Sequence, residues 1–162
     1  MMLIDTSVYI ESVSDSAIEK LLEELSEKDF VQSCDIIEKE IHHAAEFLRK
    51  TDRKLNSEKL KLIYDKIREG SIKTTERIVN LAKEYHEEAG LSKSQDADIE
   101  NDFLIVASAS VASVKTIISL NRKTMASDKI VNVYKTVNAK YGYKTPIFLT
   151  TMEELTKFLK SL

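Results

Sequence analysis

The stretch "MLIDTSVYIE", beginning at Met2, ends a short apolar run on Asp5 and follows it at once with Thr6 and Ser7. Asp, Thr and Ser commonly terminate strands and cap helices, so taken alone this triplet is ordinary turn chemistry. A functional reading requires other polar groups to converge on Asp5. The acidic candidates further along are Glu38 or Glu40, Asp96, Asp98 and Asp102. Two carboxylates about 4 Å apart repel by roughly 4 kcal/mol at an effective dielectric of about 20. Three of them seldom gather without a cation or a shared proton. An all-oxygen set, with neither thiolate nor imidazole, suits Mg²⁺ or Mn²⁺ better than zinc. A cation held there would lower the pKa of bound water, polarise a phosphoryl oxygen and stabilise a leaving oxygen.

Other chemistries find little support. Glycine occurs only at 70, 90 and 142, so neither a G-x-x-x-x-G-K phosphate loop nor a G-x-G-x-x-G fingerprint can be drawn. The single cysteine, Cys34, excludes an intrachain disulfide and a zinc site of several thiolates, and reads as a small buried residue. His42 and His43 are adjacent and point in different directions around a helix; with His86 they form no zinc pattern. The net charge of −3 argues against a surface coated in basic residues, while leaving room for a local basic groove. The clusters Arg49, Lys50, Arg53, Lys54 and Arg122, Lys123 read first as solvated surface. Asp5 follows the first residue too closely for a signal peptide, so a cytoplasmic location is expected. Phe103–Val114 is uncharged but too short to span a bilayer, and no membrane association is expected.

The elements that must position these residues alternate in type. Residues 2–5 read as a buried strand, Ser16–Glu27 as a helix with Ile18, Leu21, Leu22 and Leu25 at helical spacing, and 29–33 as a strand. Asp35 opens a helix with the stripe Ile37, Ile41, Ala44, Ala45 and Leu48. Helices Glu58–Glu69 and Glu76–Ala89 are each followed by a glycine, Gly70 and Gly90, expected as left-handed caps. "SIKT" between them reads as a short strand. Asp102 is expected to cap and open a buried helix, "DFLIVASASVASV". Residues 115–120 form a strand, Ser127–Tyr141 a helix, and 146–149 a last strand; Thr151 and Glu154 resemble a capping box for a terminal helix. No repeat or linker appears, so residues 1–162 are expected to be a single domain of the α/β class. Its central sheet should be mostly parallel, with four to five strands and helices on both faces. Ligands of such sheets bind beyond the carboxyl ends of the strands, where Asp5 lies. Glu38 and Glu40 flank opposite borders of one helical stripe, and periodicity does not choose between them.

In order, the chain presents an acid after strand one, an acid in the helix after strand two, an acid opening a buried helix, and a polar residue after the next strand. In this it resembles the PIN-domain family of metal-dependent ribonucleases, which includes toxins of prokaryotic toxin–antitoxin pairs. "LIDTSVYIE", "CDIIEKEI", "NDFLIVASA" and "IISLNRKTM" are similar to its four segments and span essentially the whole chain. The resemblance implies a three-layer α/β/α PIN-like fold and a Mg²⁺- or Mn²⁺-dependent ribonuclease. It implies Asp5, Glu40 and Asp102 as metal ligands, and Asn121 as a fourth catalytic-site residue standing where many members have an acid. Ser119, Arg122 and Lys123 would contact RNA substrate. An antitoxin or other protein partner and a homodimer are further expectations. Two rivals stand beside this reading: a noncatalytic PIN domain that binds RNA or protein, its missing fourth acid marking degeneration, and an unrelated α/β binding module whose acids are scattered.

Overall fold

Strand β1 (Met2–Ile4) is fully buried and pairs in parallel with β2 (Val31–Cys34) on one side and β4 (Thr116–Ile118) on the other. In the computed structural model the backbone is described for residues 1–91 and 97–162, and side chains for 1–91 and 99–162. Asp96 and the side chain of Asp98 lie outside the described residues. Strands β3 (Gly70–Ile72) and β5 (Ile147–Leu149) flank the others, giving one five-stranded sheet in the order β3-β2-β1-β4-β5 with every pairing parallel. A strand covered on both faces needs apolar residues throughout, and "MLI" supplies them.

Between the strands run α1 (Thr6–Ser12), α2 (Ser16–Lys28), α3 (Asp35–Lys50), α4 (Lys54–Ile67), α5 (Glu76–Ala89), α6 (Ala97–Val111), α7 (Asp128–Tyr141) and α8 (Met152–Ser161). They flank the sheet as the outer layers of a three-layer α/β/α fold, with α3 packed on α4 and α5 on α6 and α7. Asp15, Thr75, Ser127 and Thr151 each cap the helix that follows them through a side-chain oxygen.

Three expectations are corrected. Helix α1 falls where the sequence pattern places nothing; it has only seven residues, too few for a periodic stripe, though Val8, Tyr9 and Ser12 are buried. Gly70 is no left-handed cap. Helix α4 ends at Ile67, Arg68 after it is extended, and Gly70 begins β3. A Cβ there would lie 2.7 Å from Gln32 Oε1, the far end of a side chain that is free to turn aside. Gly90, by contrast, does adopt the left-handed conformation at the end of α5, with φ 66°. Finally, α6 begins at Ala97, so Asp102 lies inside the helix and does not cap it. The polar turn ahead of Asp102 carries no apolar stripe to announce it.

Candidate active site

The strand order reverses beside β1: the chain moves outward through β2 and β3, then returns to β4 on β1's other side. That reversal opens a crevice at the carboxyl ends of β1 and β4. Asp5 extends β1 into it, its backbone N–H donating to the Ile118 carbonyl at 2.8 Å. Ser119 and Asn121 follow β4 into the same place.

Asp5 occupies the N-cap position of α1, so the turn reading of its triplet holds for the backbone. Its carboxylate does more. Only 4% exposed, it accepts hydrogen bonds at Oδ2 from the hydroxyls of Ser7 and Ser119, each at 2.8 Å. Burial raises its pKa above the ordinary 3.8, and these hydrogen bonds, with the Thr6 and Ser7 amides, pull it part of the way back. Ser7 also accepts from the Leu120 amide at 3.0 Å, which ties α1 to the segment after β4.

Helix α3 brings Glu40 to the same end of the sheet. Thr6 Oγ1 donates to Glu40 Oε1 at 3.0 Å, whereas Glu38 is exposed on the other border of the stripe. Cys34, at the N-cap of α3, is buried beside these acids. Burial pushes its thiol up to about 12, and the charges of Glu40 and Asp5 push the same way, so it stays protonated.

Asp102, 5% exposed, projects from the second turn of α6. Asn121 Nδ2 donates to its Oδ2 at 3.2 Å, and the Thr124 hydroxyl reaches the same oxygen. No sequence motif singles out Thr124; its only signal is its place three residues after Asn121, where a turn returns the chain toward the site. Ser119 accepts from the Asn121 amide at 3.0 Å while donating to Asp5. The serine is fully buried, and its one proton is committed to Asp5. Arg122 and Lys123 are exposed and line, with Asn121 and Ser127, a depression of about 620 Å³ beside the crevice.

Hydrogen bonds therefore connect Asp102 through Asn121 and Ser119 to Asp5, and Glu40 joins through Thr6, the residue next to Asp5. The donor set is all oxygen and suits a hard divalent cation. In the structure each carboxylate is turned toward hydroxyl donors. Among the described residues, no three His, Cys, Asp or Glu side chains are gathered closely enough to share one metal ion.

The fold is three-layer α/β/α and PIN-like in architecture. A chain in the crystal structure of VapBC2 from Rickettsia felis, bound to a DNA fragment from their promoter, has a similar fold, with a TM-score of 0.60 at 18% identity over 91% of this chain and 96% of that one. No protein-family model and no curated protein matches the sequence. Among the described residues, no helix is long and apolar enough to cross a membrane.

Proposed function

We propose that this chain is a Mg²⁺- or Mn²⁺-dependent ribonuclease that hydrolyses RNA phosphodiester bonds, as a toxin-type PIN nuclease with an antitoxin partner. The observation that carries this is the connection of Asp5, Glu40, Asp102 and Asn121 in one polar network at the topological switch point of a PIN-like sheet. The likeness to a VapBC2 chain supports the toxin-type reading.

Asp5, Glu40 and Asp102 would hold the cation, with side-chain rotation bringing them together on one ion. A cation bound there would supply an activated water and charge stabilisation at the phosphoryl group. The chain's own residues do the remainder. Ser7 and Ser119 orient the Asp5 carboxylate, Asn121 orients Asp102, and Arg122 and Lys123 hold the phosphates of the RNA. Exposed Phe47, Leu55 and Leu62, on α3 and α4, offer apolar surface for a homodimer, which sedimentation at several concentrations would detect.

The deciding experiment is cleavage of generic RNA by chelator-washed protein, before and after Mn²⁺ is supplied. Wild type should gain activity with the metal. Asp5→Asn, Asp102→Asn and Glu40→Gln should fall to background while melting cooperatively. Wild-type rates in the Asp5→Asn protein would reject the assignment, and loss in Glu38→Gln with activity kept in Glu40→Gln would reject the choice of glutamate. Metal and RNA binding without any cleavage would favour the noncatalytic reading.

A further inference from the structure

We propose that Thr124 is a positioning residue for the metal site, its hydroxyl holding the Asp102 carboxylate while its backbone amide faces the Asn121 side-chain oxygen. The inference rests on the metal-dependent reading of the crevice. Thr124 Oγ1 lies within hydrogen-bond distance of both Asp102 Oδ2 and, at 2.8 Å, Asn121 Oδ1. A hydroxyl has one proton, and the charged oxygen is the stronger acceptor, so the proton goes to Asp102. The Thr124 amide faces Asn121 Oδ1 at 3.4 Å, which leaves the amide's NH₂ group turned to Asp102 Oδ2. Both described donors thus fall on one oxygen of the carboxylate, and together they set its rotamer.

The loop that carries Thr124 is itself anchored. The next residue, Met125, is fully buried, and its carbonyl accepts from the Tyr134 hydroxyl at 2.9 Å. Tyr134 packs edge-on against Phe103, the neighbour of Asp102 on α6, with ring centroids 5.9 Å apart. One aromatic pair therefore fixes both the helix that presents Asp102 and the loop that presents Thr124. A hydroxyl held so firmly against a candidate ligand does the work of an outer-shell partner, orienting the oxygen that must meet the metal.

The test replaces Thr124 by Val, which keeps the shape and removes the hydroxyl, and by Ser, which keeps the hydroxyl. Mn²⁺ binding is read from the electron paramagnetic resonance signal of free Mn²⁺, alongside RNA cleavage as a function of Mn²⁺ concentration. Thr124→Val should bind Mn²⁺ about ten-fold more weakly and need correspondingly more metal for half-maximal rate. Its rate at saturating Mn²⁺ should approach that of wild type, and Thr124→Ser should match wild type in both measurements. A threonine that merely supports the fold would lower melting temperature without moving the metal dependence. Equal Mn²⁺ affinity in wild type and Thr124→Val overturns the proposal, as does a Ser variant that falls as far as Val. Should Thr124→Val fail to fold, Thr124→Ala carries the same comparison with Ser. Wild-type protein that binds no Mn²⁺ would overturn the metal reading itself, and the positioning role with it; cleavage lost at saturating metal in Thr124→Val alone would overturn only the positioning role.

Discussion

Helix α6 supplies two buried polar networks, one near each end, and they differ in kind. Ser110, near its C-terminus, joins a neutral set: Tyr85 Oη donates to Asn138 Oδ1 at 2.6 Å, and Asn138 Nδ2 lies 3.1 Å from Ser110 Oγ and 3.0 Å from Thr145 Oγ1. Asp102, eight residues earlier and so about 12 Å along the axis, joins the carboxylates of the crevice. The neutral network links α5, α6 and α7 with donors matched to acceptors, an arrangement that rigidifies a core. The other concentrates acids beneath partial burial, with hydroxyls as their main described partners. Matching without charge is what packing needs. Charge gathered in a crevice with neutral donors as its described partners is what a cation would stabilise, and this sets the two ends of α6 apart.

The sharpest way to break the contrast is to add charge where the crevice now has an amide. Asn121→Asp would set a second carboxylate against Asp102 Oδ2 in place of a donor at 3.2 Å. Metal-free protein at neutral pH should lose roughly 3 kcal/mol of stability through repulsion and the lost hydrogen bond. Mn²⁺ should then raise its melting temperature more than that of wild type, because a ligand of the folded state stabilises by mass action. Thermal scans with chelator and across a Mn²⁺ titration check both halves; equal metal-induced shifts would mean that position 121 does not face the site.

Next comes the neutral network. Tyr85→Phe removes the donor to the buried Asn138 oxygen and should cost about 1–3 kcal/mol by urea denaturation. It should leave the response to Mn²⁺ unchanged. A shifted metal titration would show that the two ends of α6 are coupled.

A smaller effect isolates the burial of Asp5. Its folded pKa lies above the ordinary 3.8, so between those two values the folded state binds more protons than the unfolded. Stability from this group therefore falls as pH rises from about 4 through the folded pKa, by at most about 1.4 kcal/mol per pH unit crossed. Melting temperatures of chelator-treated protein, wild type against Asp5→Asn, should converge at the acid end and separate in favour of Asn as pH rises. The smallest effect belongs to the exposed cations: Arg122→Ala or Lys123→Ala should each reduce the salt dependence of RNA binding by about 0.7 in the log–log slope, as expected for one lost phosphate contact to a single strand.

Much of the positioning scaffold was legible in residue pattern. The apolar "MLI" strand, the stripe Ile37–Ile41–Ala45 and the capped helix Glu76–Ala89 are local signals, and the structure carries them through. Asp5 and Asn121 were legible as the polar ends of apolar strands, whereas Asp102 joins their network from inside a helix whose start the sequence placed five residues too late. What escaped was tertiary. Periodicity leaves Glu38 and Glu40 on the two borders of one stripe, and it is Thr6, 34 positions away, that meets Glu40. Ser119 reads as a free hydroxyl until Asp5 is seen to claim its proton. Thr124 has no pattern at all; a loop returning through Met125 to Tyr134 puts it against Asp102. Gly70 misleads because a glycine after a helix usually means a left-handed cap, whereas here two residues separate the helix end from it and it begins β3.

The pairing of β1 with β4 also sets an order in time. Residues 2–4 lie in register with 116–118, and Asp5 receives its hydrogen bond from Ser119, 114 residues later. During synthesis at about 5–20 residues per second, the segment that completes the crevice emerges roughly 6–23 s after the strand that begins it. Until then β1 presents an apolar edge with no partner on one side, the kind of edge that recruits other chains. A nascent chain of this protein is thus unable to assemble its acidic crevice before β4 has left the ribosome, and whatever the crevice does is withheld until that late segment has been made.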